Sequence, residues 1–138
     1  MTIAQILKIK GNNVSSLAPT ATVLEAAQML GAKRIGAVLV VDSAEGLVGI
    51  LSERDIVGSL AQHGPKTLDM TVAELMTSEV QVASPRTTVE EAMGMMTQGR
   101  FRHVPVVEGG HLVGLVSIGD VVKARISDQE HEVDSLRA

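Results

Sequence analysis

Apolar residues recur along this chain in two alternating rhythms. Val23, Ala26, Ala27 and Leu30 fall at i, i+3, i+4 and i+7, which predicts a helix over residues 23–33. "AVLVVD" (37–42) follows as a continuous apolar run, the mark of a short strand buried on both faces. A loop at Ser43–Gly46 returns the chain into a second strand, "LVGILS" (47–52), and a second helix is expected from Glu53 to about His63. Pro19 and "TAT" ahead of the first helix read as a turn and a helix start. The predicted order is β-α-β-β-α.

The same pattern is then written again. At an offset of about 66 residues, Pro19, Thr22, Val23, Glu25, Ala26, Met29 and Arg34 meet Pro85, Thr88, Val89, Glu91, Ala92, Met95 and Arg100. Val38, Val40 and Val41 meet Val104, Val106 and Val107. One residue drops out between "DSAEGL" and "EGGHL", where a hairpin loop tolerates it. Beyond it Leu47-Val48-Gly49, Ser52 and Asp55 meet Leu112-Val113-Gly114, Ser117 and Asp120.

The expected organisation is an N-terminal helix plus first copy (1–64), a linker with a short helix near Val72–Met76 (65–79), a second copy (80–126) and a charged extension (127–138). One copy of about 50 residues buries little core alone. Two copies are expected to pack across a pseudo-twofold axis into a single α/β module, with equivalent clefts at equivalent strand ends.

Composition narrows the chemistry. The chain has 138 residues, 45% of them hydrophobic, with formal charge −4 and a pI near 5.5, so no whole-protein field favours nucleic acid. Phe101 is the sole aromatic, which disfavours base-stacking platforms. There is no Cys, and His63, His103, His111 and His131 have no metal-ligand spacing. The "MGMM" run (93–96) reads as adaptable core or interface. The N-terminus is too short and too polar for a signal peptide, and no apolar run reaches membrane-span length, so a cytoplasmic protein is expected. No Ser/His/Asp order, phosphate loop or strand-Gly-x-Gly-x-x-Gly-helix unit appears, so no enzyme activity is expected.

Two readings of the repeated Ser-x-x-Asp stand side by side. Ser52 and Ser117 suit helix N-caps, and Asp55 and Asp120 three positions on nearly complete capping boxes. The same helix start suits a nucleotide: a carboxylate accepts from both ribose hydroxyls, and a Ser hydroxyl donates to phosphate. Gly49 and Gly114 lie inside strands, where glycine suggests that something approaches the backbone closely. Arg100, Arg102 and His103 precede a buried strand and suit a phosphate pocket or a solvated strand edge; Arg54 lies between Ser52 and Asp55. Pro105 fits a strand only at an edge or first position, and either frees a carbonyl for a ligand or begins the strand.

"TATVLEAAQMLGAKRIGAVLVVD…LVGILSERDIV" and "TTVEEAMGMMTQGRFRHVPVVE…LVGLVSIGDVV" resemble two tandem CBS domains, a pair called a Bateman module, over residues 14–126. The resemblance is strongest to small stand-alone bacterial CBS-pair proteins. It implies binding of an adenosyl ligand (AMP, ADP, ATP, NAD(H) or S-adenosylmethionine), regulation of an unidentified partner, and a homodimer. It implies ribose contacts from Asp55 and Asp120, hydroxyl contacts from Ser52 and Ser117, and phosphate contacts from Arg102 and His103, with Arg54 at a position cationic in some members. The backbone near Ala18, Pro19 and Thr20, and near Val82, Ala83 and Ser84, would line the base, with Pro105 beside it. The first copy has Gly36-Ala37 where the second has Arg102-His103, so unequal sites are expected. The alternatives are a structural or interaction module with relic clefts and, less favoured, a nucleotide-processing enzyme.

Overall fold

A computed structural model describes residues 1–44 and 46–137, with side chains only as far as Glu130. The chain forms two compact units: Val14–Val80, and Met1–Asn13 together with the chain from Gln81 onward.

In the first unit, β1 (Ser16–Leu17) pairs in parallel with β2 (Ala37–Val41), and β2 pairs antiparallel with β3 (Leu47–Ser52). Helix α2 (Val23–Lys33) starts where Thr22 Oγ1 accepts from the Glu25 N–H at 3.1 Å, and α3 (Glu53–His63) follows β3 directly. A 3-10 helix occupies Gly64–Asp69, where the sequence predicts only a linker, and one turn, α4 (Val72–Leu75), follows. Val23, Ala26, Leu30, Val38, Val40, Leu51, Ile56 and Val72 form the core. Buried beside it, the Ser59 and Thr67 hydroxyls pair at 2.8 Å, so neither is left unsatisfied.

The second unit contains α5 (Val89–Gly99), β4 (His103–Glu108), β5 (His111–Ser117) and α6 (Ile118–Arg137). The predicted extension from residue 127 is therefore a continuation of α6, with Ala138 and the His131 side chain outside the described residues. Thr88 and Glu91 close a capping box at the start of α5; the Thr88 backbone N–H and then its hydroxyl hold the Glu91 carboxyl below its usual pKa. α1 (Ile3–Lys10) belongs to this unit: Ile3 and Ile6 are buried with Val89, Ala92, Val104, Val106, Val116 and Val121. The sequence groups this helix with the copy that follows it. Its apolar face lies against the copy some 80 residues later.

The two hairpins match closely. Val40 faces Gly49 and Val106 faces Gly114, and in each the register shifts at the next residue. The one-residue difference falls in the turn, as expected. Gly109 and Gly110 both have positive φ (57° and 80°), as a two-residue turn that follows the strand twist requires. In the longer first loop Asp42 Oδ1 accepts from the N–H groups of Ala44 and Gly46 instead.

One predicted strand shrinks. The counterpart of β1 is a single bridge, Ala83 to Val106. In the first unit the Leu39 N–H donates to Ser15 O at 3.0 Å; Pro105 stands at the equivalent place and has no N–H to donate. Proline is tolerated here because its nitrogen faces the side where pairing amounts to that one bridge.

Candidate functional site

Each hairpin leads directly into a helix, and the residues at that junction are the candidate site. In the second unit, His103 pairs with Ser117 in register, and Ile118 N–H donates to Arg102 O at 2.7 Å. The sheet thus sets Arg102 and His103, 15 and 14 positions before Ser117 in sequence, beside the Ser117–Asp120 helix start. The first unit repeats the geometry with Ala37 opposite Ser52 and Glu53 N–H donating to Gly36 O at 2.9 Å, but no cation stands on that strand end. Arg54 and Arg102 are exposed, and Ser52, Asp55, His103, Ser117 and Asp120 are half-buried.

Both Ser-x-x-Asp units carry reciprocal caps. Asp55 Oδ2 accepts from the Ser52 N–H at 2.9 Å and its hydroxyl at 3.0 Å, and Asp55 N–H donates to Ser52 Oγ at 3.3 Å. Ser117 N–H donates to Asp120 Oδ2 at 2.8 Å, and Asp120 N–H to Ser117 Oγ at 3.2 Å. A cap and a ligand site are compatible, since an ionised carboxylate offers about four lone-pair positions.

The copies part at the next partner. Lys10, at the end of α1, donates to Asp120 Oδ2 at 2.7 Å and to Leu115 O at 2.9 Å. Partial burial pushes the Asp120 carboxyl up, but the Lys10 hydrogen bond, the Ser117 N–H and the Lys10 charge outweigh it, leaving the pKa below its ordinary value. In the first unit Ile50, the counterpart of Leu115, exchanges backbone hydrogen bonds with Thr77, and among the described residues no cation meets Asp55.

The strand glycines have an internal explanation that replaces the expected approach of a nucleoside. A Cβ on Gly49 would collide with Met76 Sδ and lie 3.0 Å from Thr77 O; one on Gly114 would lie 2.7 Å from Leu7 Cδ2. Met76 and Leu7 are themselves equivalent. "TIAQIL" (2–7) and "TVAELM" (71–76) form a further repeat, at an offset of 69. Ile3 N–H bonds to Thr87 O and Ala4 N–H to Pro85 O; Val72 N–H bonds to Ala21 O and Ala73 N–H to Pro19 O. Each copy is therefore covered by a short leading segment of the same design. Extending the self-comparison upstream of Pro19 and Pro85 finds this signal, whereas Lys10 carries none.

The remaining predicted positions are placed as follows. Pro105 is buried in β4, which beyond its pairing with β5 has only the single Ala83 bridge and so keeps the edge character a proline needs; it is not the first residue, and its carbonyl accepts from Ala83 N–H at 2.9 Å instead of standing free. Pro19 is half-buried with its carbonyl taken by Ala73, and Thr20 is exposed. Ser84 spends its N–H and carbonyl on a turn with Thr87, and Ala83 spends both on β4. Of residues 82–84, only Val82 makes no backbone hydrogen bond among the described residues, and its side chain is exposed. Arg100 has a backbone role, as the left-handed C-cap of α5 (φ 56°), matching Arg34 after α2 (φ 53°). Among the described residues no acidic or His group of three is placed to hold a metal, and no helix is long and apolar enough to cross a membrane.

The CBS domain family model matches residues 6–62 and again residues 72–127. This chain belongs to the CBS domain family. Among solved structures, the CBS-domain protein ATU1752 of Agrobacterium tumefaciens is 44% identical, with a TM-score of 0.88 over 90% of this chain and 92% of that one. The CBS protein PAE2072 of Pyrobaculum aerophilum, complexed with AMP, is 31% identical, with a TM-score of 0.77 over 87% and 89%. The CBS pair of MJ0100, in complex with 5′-methylthioadenosine and S-adenosyl-L-methionine, is 26% identical, with a TM-score of 0.82 over 93% and 98%. The matched CBS spans begin inside α1 and at α4, the two covering segments.

Proposed function

We propose that this CBS pair is a regulatory module that binds an adenosine-containing ligand and passes the bound state to its own dimer or to a protein partner. The observation that carries the reading is the meeting of Arg102 and His103 with Ser117 and Asp120 at one hairpin end. Asp120 would hold the ribose hydroxyls, and Ser117, Arg102 and His103 would serve the phosphates. Relatives with AMP, methylthioadenosine and S-adenosylmethionine bound support an adenosyl ligand as the class. Ser52, Arg54 and Asp55 would form a second, weaker site, because Gly36-Ala37 supply no cation there. A ligand alters such a module only as far as it binds its states unequally. The module would work in the cytoplasm without a catalytic step of its own.

Calorimetric titration with AMP, ADP, ATP, NADH and S-adenosylmethionine tests the reading. Binding lost by Asp120→Ala and largely kept by Asp55→Ala is the expected result. No heat from any ligand at millimolar concentration rejects it. The Ser52–Asp55 capping box, with Gly36-Ala37 in place of a strand-end cation, favours a second reading for the first copy, a purely structural helix start; it predicts that Asp55→Ala lowers the melting temperature without changing any affinity.

A further inference from the structure

We propose that Lys10 is a specificity-determining residue of the second-copy site, setting how much negative charge its ligand carries. The proposal rests on the nucleotide reading above. Lys10 lies outside the Ser-x-x-Asp repeat and reaches it from α1, its Nζ 2.7 Å from Asp120 Oδ2 and 2.9 Å from Leu115 O. Two of its three donors are thereby fixed, and the side chain is 37% exposed.

A carboxylate that grips ribose repels the phosphates attached to the same sugar. An ammonium on that carboxylate cancels the repulsion without blocking it, because Ser117 and Lys10 both use Oδ2. The second-copy junction then sets one carboxylate against an ammonium and the Arg102 guanidinium. The first-copy junction sets Glu53 and Asp55 against Arg54 alone. Lys10 has no working counterpart there: α4 ends at Leu75, the chain turns extended at Thr77, and the position equivalent to Lys10 is Glu79. The second copy is thus the anion-accepting site, and the first suits uncharged or cationic adenosyl groups.

The test uses full-length protein carrying Asp55→Asn, so that the second copy alone is read. Adenosine, AMP and ADP are titrated with Lys10 in place, with Lys10→Met and with Lys10→Arg. The expected result is that Lys10→Met lowers the preference for AMP over adenosine about fivefold, and for ADP more, while Lys10→Arg retains it. A preference unchanged by Lys10→Met overturns the proposal even if every ligand binds more weakly, since a residue that only positions Asp120 has that effect. Tighter binding of all three overturns it too, because Lys10 would then be a competitor of the ligand. No binding of any of the three with Lys10 in place rejects the nucleotide reading itself, and this proposal with it, before any Lys10 variant is compared.

Discussion

Lys10 and Asp120 are joined by a 2.7 Å hydrogen-bonded ion pair across 110 residues of sequence. The pair ties α1 to the start of α6. It also fixes a pH dependence, because it holds the Asp120 pKa below its unfolded value. A depressed carboxyl pKa contributes stability above the unfolded pKa, near pH 4, and the contribution is lost as pH falls through the lower folded value. Lys10→Met should cost about 0.5–1 kcal/mol at pH 7, a figure already discounted for solvent exposure of the pair. The difference from wild type should vanish as pH falls through the lowered folded value. Urea midpoints at a series of pH values check this, and a constant difference at every pH would contradict it.

The two strand glycines should respond unequally to alanine. At Gly49 the added methyl meets Thr77 O, a backbone atom held by its own pairing to Ile50, as well as Met76. At Gly114 the nearest atoms all belong to the Leu7 side chain, which can rotate. Gly49→Ala should therefore cost about 1–3 kcal/mol, and Gly114→Ala about 1 kcal/mol or less. Denaturant midpoints of the two variants decide the order.

Arg34 and Arg100 end their helices with φ of 53° and 56°, a conformation that glycine adopts without penalty. Arg100→Gly and Arg34→Gly should each raise stability by about 0.5–1 kcal/mol, since relief of the left-handed strain exceeds the entropy glycine adds to the unfolded chain. Thermal melting of the single variants and of the pair tests this. The two gains should add, because the sites lie in different compact units.

Most of each repeat is legible in the sequence. The i, i+3, i+4, i+7 spacing of Val23, Ala26, Ala27 and Leu30 predicts α2 at its observed bounds, and Glu53–His63 likewise. The one-residue gap falls in the turn where the two loops differ. Local rules reach this far because capping, periodicity and turn chemistry act within a few residues. The first strand that the repeat implies for the second copy shrinks to one bridge for a reason that sequence does record, the missing N–H of Pro105. Recognising it requires knowing that Leu39, at the matching position, donates to Ser15.

By itself the sequence determined the duplication, the elements of each copy and the Ser-x-x-Asp junctions, since all of these are periodic or local patterns. Tertiary structure alone decided which copy each leading segment covers, why Gly49 and Gly114 lack side chains, and that Lys10 rests on Asp120. Such contacts join residues scores of positions apart, and apolar burial, which drives them, is non-directional. Ile3 and Ile6 announce that they need a core, but only packing determines which core receives them.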